Sequence, residues 1–320
     1  MEVGPGGWNA LLARLGLDDV YLRREYVESA CRLEPGKPGK PTFLQTEDVV
    51  FPCILREFRG RTDVTTPYGY GGPVASGGVA DAFYAAYEDW CTERGVVSTF
   101  VRFHPLYENQ RYARIHVEPL GGTIAWRLQG DDLFERLHPH HRRVIRKAQR
   151  AGLEVSVEES PALDEFVDLY KRTMARLEAD PFYLFTAEYW QSLRTLPCLL
   201  VSARADGELL AGVLCFASKP WLHYHLGASS DEGRRLGASN LVLHEAAGWG
   251  REQSYELFHL GGGVGGRADS LFEFKRRFDP GGEREFAIGK AVHDDAAYRE
   301  LAGAQTAALD GFFPAYRAPA

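Results

Sequence analysis

No uninterrupted apolar run in these 320 residues approaches the ~18–20 needed to span a bilayer, so no membrane insertion is expected. The start of the chain carries no basic-then-apolar leader pattern, and the expectation is a cytoplasmic protein. Cysteine is scarce: Cys31, Cys53, Cys91, Cys198 and Cys215 are odd in number, form no CxxC pair, and indicate neither a disulfide framework nor a zinc site. Positive charge is in the minority, with 37 Lys and Arg against 44 Asp and Glu, which argues against a nucleic-acid coat while leaving room for a local basic patch. His138, His140 and His141 stand together without carboxylates or cysteines at ligand spacing, so no metal centre is expected. GxSxG, Walker and strand-following GxGxxG patterns are missing as well.

What remains is an ordinary globular composition, 45% hydrophobic and 25% charged, long enough for two domains of about 150 residues. The pattern predicts helices over 8–15, 79–94, 133–151 (interrupted near Pro139), 163–179, 187–194 and 238–253. Strands are expected at 21–32, 43–47, 49–58, 96–103, 115–118, 123–127, 153–158, 198–204, 208–217, 221–227 and 257–260, with a breaker-rich loop at 34–41. Ala205-Asp206-Gly207 reads as a hairpin turn. The sequence of elements suggests a duplicated α+β architecture jointed near 145–155: one domain over 1–148, a second over 149–304, and a tail at 305–320 that is free to return to the first.

The most informative stretch is 258–278. Five glycines in six positions (Gly261, Gly262, Gly263, Gly265, Gly266) permit close backbone approach, and Lys275 follows among Phe272, Phe274 and Phe278. A partly shielded ammonium beside a bare backbone suits a phosphate, a carboxylate or a developing oxyanion; a mobile loop before an amphipathic turn is the plainer alternative. The run 138–150 holds Arg142, Arg143, Arg146, Lys147 and Arg150 and no acid. Four of them share one helix face, suited either to phosphates or to acids folded over from elsewhere. Tyr68 and Tyr70 sit in a glycine loop as substrate contacts or packed turn residues, and Arg102 and His104 end a strand where site residues often stand. His104 reads as a base or as a structural histidine. Leu222, Tyr224 and Leu226 are expected on one strand face, His223 and His225 on the other. Arg234-Arg-Leu-Gly-Ala-Ser239 partly matches the pyrophosphate turn of acyl-CoA transferases, and is otherwise a helix start made of small residues.

Four pieces in order, Pro67-Tyr-Gly-Tyr-Gly-Gly-Pro73, Arg142-Arg-Val-Ile-Arg-Lys-Ala148 with Gly152, the strand Tyr224–Ser229, and Leu260-Gly-Gly-Gly263 with Ser270-Leu-Phe-Glu-Phe-Lys275, resemble the FemABX-like aminoacyltransferases of the GNAT superfamily. The resemblance spans about residues 65–280. It implies an α+β fold of two GNAT-like domains, each a mixed, mostly antiparallel sheet flanked by helices, with a cleft between them. It also implies transfer of an amino acid from the acceptor end of an aminoacyl-tRNA to an amine on a small peptide or peptidyl-nucleotide. Lys275 looks like the family lysine near the reacting ester. No charged heptad run matches the coiled-coil arm of some relatives, and His104-Pro105 replaces the Asp-Pro that some carry, so that acid's role does not transfer.

On this reading Lys275 and loop N–H groups at 261–266 stabilise the oxyanion, His104, Tyr224 or the substrate takes the amine proton, and Tyr68, Tyr70, Arg102, Arg142, Arg143, Arg146, Lys147, Gly261, Gly262 and Gly263 contact substrate. No cofactor beyond the tRNA co-substrate is expected. An acyl-CoA-dependent N-acyltransferase and a non-catalytic peptide- or nucleotide-binding protein stay open beside it.

Overall fold

The computed structural model describes residues 1–33, 38–303, 309 and 311–318. Part of the expected loop at 34–41, and parts of the expected tail, lie outside the described residues.

In chain order the elements are helices α1 (Trp8–Leu15) and α2 (Arg24–Ala30), strands β1 (Lys40–Thr46), β2 (Val49–Phe58) and β3 (Arg61–Thr65), helix α3 (Asp81–Arg94), and strands β4 (Val96–Arg102) and β5 (His116–Arg127). Helices α4 (Leu133–Arg136) and α5 (Pro139–Arg150), strand β6 (Glu154–Glu159), and helices α6 (Asp164–Arg176) and α7 (Ala187–Leu193) follow. Strands β7 (Cys198–Ala205), β8 (Glu208–Ser218) and β9 (Trp221–Ser229) precede α8 (Asp231–Leu236) and α9 (Ala238–Glu252). The chain continues with β10 (Leu257–Gly262), α10 (Ser270–Arg276), β11 (Glu283–Val292) and α11 (Asp295–Ala302).

Two compact units emerge: Met1–Leu120 with Glu285–Ala320, and Gly121–Arg284. The joint is not at 148/149, as the sequence had suggested. The chain leaves the first unit within β5 and re-enters it within β11, so α5 belongs wholly to the second.

In the first unit the strand order is β1-β2-β3-β4-β11. β3 and β4 run parallel, joined by α3, and the other pairs are antiparallel. Gly95 takes the left-handed conformation that ends α3. Successive strand residues point to opposite faces, and both faces are covered. Leu44 and Phe51 pack with Phe83, Tyr87 and Trp90 of α3, whereas Phe43 and Val50 pack with Trp8, Leu12 and Val27 of α1 and α2. A strand expected over 21–32 is a short turn, Val20–Leu22, followed by α2. Asp19 caps that turn by accepting the Tyr21 N–H at 2.9 Å, and Tyr26, Val27 and Ala30 then fall on one buried helical face. β3 was not foreseen, and the two strands expected at 115–118 and 123–127 are one, β5.

The second unit orders its strands β5-β10-β9-β8-β7-β6. Here β9 and β10 are the parallel pair, joined through α8 and α9. Leu241, Ala246 and Ala247 of α9 pack with Val201, Val213 and Cys215 of the sheet and with Ile145 and Ala148 of α5 in a single core. Phe166 and Tyr170 of α6 meet Trp190 of α7 edge to face, and a Cβ on Gly212 of β8 would lie 2.9 Å from the Phe166 ring.

Pairing of β8 with β9 slips by one residue: Cys215 faces Tyr224 but Leu214 faces Leu226, with His225 the extra residue of the bulge. The slip corrects the expected face assignment. Leu222 and Tyr224 pack on the α9 side, in and against the core there. His225 lies on the other side, stacked on Phe216 at 4.3 Å, with its Nε2 2.9 Å from the Tyr189 hydroxyl. Leu226, paired with Leu214 beyond the bulge, has changed sides and joins His225.

Candidate active site

The second unit draws three of the sequence-selected groups together, the glycine loop, Lys275 and Tyr224. β10 carries a bulge between His259 and Gly261, and Gly261 is left-handed with φ 71°. Asp269 then closes the glycine loop onto α10. One carboxylate oxygen accepts the Phe272 N–H at 2.8 Å as the helix cap, and the other accepts the Val264 N–H at 2.9 Å. Only glycine fits at 263, where a Cβ would stand 2.1 Å from the Arg267 carbonyl and 2.4 Å from the Asp269 carboxylate.

Lys275 lies in the last turn of α10 with 6% of its surface exposed. Its Nζ donates to the Gly262 carbonyl at 2.6 Å and sits 4.9 Å from the centre of the Tyr224 ring. Both contacts are neutral groups. Burial therefore holds its pKa down, to about 7, with the Asp269 charge opposing part of the shift. Phe272 and Phe278 belong to the core beneath it, and Phe274 packs against that core.

Tyr224 reaches the lysine because of Gly227. After the bulge these two residues share a face, and a Cβ on Gly227 would come within 2.5 Å of the Tyr224 hydroxyl. The missing side chain is the space the phenol occupies.

The loop N–H groups fare differently from expectation. Val264 N–H is bound by Asp269, and Gly266 N–H by the Gly263 carbonyl at 3.2 Å, so these two are used within the loop. The three histidines at 138–141 also separate. His138 caps α5 by accepting the His140 N–H, and His140 Nδ1 lies 3.2 Å from Arg143. His141, wedged against Phe274 and Phe278, donates from Nε2 to the Phe274 carbonyl at 2.8 Å. Burial lowers its pKa to about 4, so it is a neutral packing residue at physiological pH.

On α5, Arg142 is paired with Glu135 at 2.6 Å. Arg143, Arg146, Lys147 and Arg150 are exposed and make no salt bridge among the described residues, although the charge of Lys147 is felt by Glu232. Arg146 lies over the Phe134 ring at 4.9 Å, and Lys147 donates to the Arg235 carbonyl at 2.6 Å. That carbonyl belongs to the turn compared with a pyrophosphate loop. There Gly237 is left-handed at φ 86°, a Cβ on it would stand 2.5 Å from Val144 of α5, and Ala238 is buried. Arg235 is paired with Glu232, and Arg234 lies 3.6 Å from Asp231. Both arginines are thus engaged by acids of their own helix.

In the first unit, Tyr70 is buried edge-on to Phe286, and Arg102 stacks over the same Phe286 ring at 4.9 Å. The Tyr68 carbonyl accepts the Tyr26 hydroxyl at 2.5 Å. His104 is 0% exposed, ringed by Tyr21, Tyr70 and Tyr107, with Nε2 3.4 Å from an Asp19 carboxylate oxygen. Its Nδ1 accepts the Leu106 N–H at 3.3 Å, and its own N–H goes to Asn109.

Three residues of these sites escaped the sequence reading. Asn109 holds the glycine-tyrosine loop, donating to the Gly71 and Pro73 carbonyls at 2.9 and 3.0 Å. Asp269 was legible as a cap directly before a helix start. Gly227 was not, because its importance depends on the bulge.

A family model described as an acetyltransferase (GNAT) domain matches residues 137–276, the span from the start of α5 to the end of α10. The structure is similar over 94% of its length to FemX, with TM-score 0.68, 13% identity and 98% of that chain covered. The chain has a FemABX-like, double GNAT-type fold. It is similar also to the C-terminal domain of a putative lysylphosphatidylglycerol synthetase from Agrobacterium fabrum, with TM-score 0.61 and 16% identity, covering 92% of this chain and 94% of that one. A tandem GNAT protein from the clavulanic acid biosynthesis pathway matches with TM-score 0.51 and 12% identity, over 91% and 97% of the two chains. No curated protein matches the sequence. Among the described residues, no helix is long and apolar enough to cross a membrane.

Proposed function

We propose that this acyltransferase-type fold serves an aminoacyl-tRNA-dependent aminoacyltransferase, forming an amide on the amine of a peptidyl or nucleotide-linked acceptor. The observation that carries the reading is Lys275: a buried lysine whose contacts are a carbonyl and a tyrosine ring, with its pKa near neutrality. In the reaction the acceptor nitrogen attacks the ester carbonyl, the C–N bond forms, the C–O bond breaks, and the tRNA leaves with its ribose hydroxyl. The proton lost by nitrogen ends on that hydroxyl. A lysine that is part ammonium and part amine near pH 7 stabilises the oxyanion in one form and accepts the amine proton in the other. The exposed cations of α5 would hold donor phosphates. FemX and the lysylphosphatidylglycerol synthetase domain are the neighbours that favour aminoacyl transfer over other acyl chemistry.

A second reading, acyl-CoA-dependent N-acylation, is favoured by the acetyltransferase description of the 137–276 match and by the turn at 234–239. The engagement of Arg234 and Arg235 with acids, and the seating of Val144 against Gly237, weigh against a pyrophosphate there. The deciding experiment offers labelled aminoacyl-tRNA and acetyl-CoA in parallel, with a peptide amine acceptor and an RNase control. RNase-sensitive transfer is expected. Transfer from acetyl-CoA alone would replace the reading, and transfer from neither would favour a non-catalytic binding protein.

A further inference from the structure

Arg102 stands at the C-terminal end of β4 and is fixed at three points. Its backbone N–H donates to the Thr66 hydroxyl at 2.9 Å. Its Nε donates to the Gly69 carbonyl at 2.9 Å, and its guanidinium carbon lies over the Phe286 ring, 4.9 Å from the ring centre. Phe286 is itself held edge-on by Tyr70, with ring centres 5.4 Å apart. Arginine carries five donors in a flat fork. Nε is spent on the loop and the cation lies over the ring, which leaves the two terminal nitrogens and the edge they form. Among the described residues nothing accepts from that edge, no acid pairs with it, and neither nitrogen is buried without a partner. The residue as a whole is half-buried.

This is not how a solvated surface arginine is built. A side chain with four free torsions loses rotamer entropy when it is pinned, and here loop, ring and strand hold it with its recognition edge unspent. A guanidinium so held is preorganised for a planar pair of acceptors, because carboxylate and phosphate oxygens match the spacing of the two nitrogens and form two parallel charge-assisted bonds. The surroundings set the class of ligand further. The Tyr70 phenol is buried and its pKa is raised, chiefly by burial, so the ring offers no competing negative charge. The neighbouring Gly69 is left-handed and lacks a side chain that would crowd the loop carrying the Nε acceptor.

We propose that Arg102 is an anion anchor, whose free guanidinium edge receives a carboxylate or phosphate of the acceptor substrate. The proposal rests on the transferase reading for the identity of the ligand as acceptor, and on the geometry of the first unit alone for its charge. It makes the acceptor an anion and assigns its recognition to the loop 66–71 and the start of β11.

The test is binding without any donor. The Nε–H signal of Arg102 is followed by NMR, assigned by its loss in Arg102→Lys, during titration with N-acetyl-alanyl-alanine, with the C-terminal amide of the same dipeptide, and with inorganic pyrophosphate. At least one anion should move the signal saturably while the amide leaves it in place. A response to the peptide acid alone identifies a carboxylate, and a response to pyrophosphate alone identifies a phosphate. Arg102→Gln should weaken the binding anion by about tenfold or more, and Arg102→Lys, which keeps the charge and loses the fork, by a smaller factor. Melting curves establish that the variants are folded; should Arg102→Gln fail to fold, the wild-type titrations and Arg102→Lys carry the test. An unmoved signal with every probe, or equal anion binding in the folded variants, would overturn the proposal. In the transfer assay, equal turnover of free-acid and amidated acceptors would count against the anchor alone. Absence of transfer with intact anion binding would count against the transferase reading alone.

Discussion

Lys290 in the first unit and Lys275 in the second are both buried, at 1% and 6% exposure, yet their surroundings differ in kind. The ammonium of Lys290 meets the Glu118 carboxylate and the carbonyls of Leu309, at 2.6 Å, and Gly311, at 3.4 Å. It has a counter-charge and enough acceptors, and what it accomplishes is the fastening of the chain near its end. Lys275 has one carbonyl and the face of a phenol. Burial alone therefore does not mark a functional lysine. The telling feature is a buried cation without an ion-paired acid, because such a group is held close to losing its proton.

The comparison is broken most directly by Lys275→Met. Transfer measured as kcat should fall by about 100-fold or more while the fold is kept. Lys275→Arg should rescue poorly, since a planar fork cannot replace a compact ammonium over Tyr224. Near-normal turnover in a folded Lys275→Met protein would remove the lysine from the chemistry. Next in size, replacing Arg143, Arg146 and Lys147 together by Ala should weaken tRNA binding about tenfold at moderate salt and flatten the dependence of log K on log salt. An unchanged slope would show that α5 does not meet phosphates.

Lys290→Met should do the opposite of Lys275→Met. It strands the carbonyls that fasten residues 309 and 311, at a cost of about 1–3 kcal/mol in denaturant unfolding, and leaves turnover per folded molecule unchanged. The last effect is one of pH, spread over several units. Lys275 has a folded pKa of about 7 against an ordinary 10.5. Between those values the unfolded chain binds the extra proton, so this group makes stability rise with pH by about 1.4 kcal/mol per unit. Below about pH 7 its contribution is flat. The rise should be absent from Lys275→Met when unfolding is followed across that window.

Much of this was open to reading in the chain itself. The hairpin at 205–207 and the break at Pro139 rest on local chemistry, and the structure has them within a residue or two, whereas the helix α10 after the glycine loop reads in the sequence only as an amphipathic turn. The lysine could be singled out because glycines and phenylalanines surround it in sequence. Its tyrosine partner could be proposed but not placed, because the contact crosses from α10 to β9. The stretch 21–32 misled because Tyr21, Leu22, Tyr26 and Val27 satisfy a strand loosely and a capped helix well, and only packing against β1 and β2 decides between them. The boundary near 148 was misplaced for a related reason. Nothing local at β11 announces that the chain is returning to its first unit.

The slip at His225 has a bearing on how such a site can change over generations. β9 is two strands in opposite phase, joined at one residue. Length changes elsewhere along a sheet reverse the facing of everything beyond them, but a segment that already contains a bulge can absorb one. A deletion at 225 would restore regular pairing, set the residue now at 227 two places from Tyr224 on the same face, and leave 226 on the other. The ring and the gap it fills thus stay on one face with the bulge or without it, and what keeps the glycine is the phenol that occupies its place.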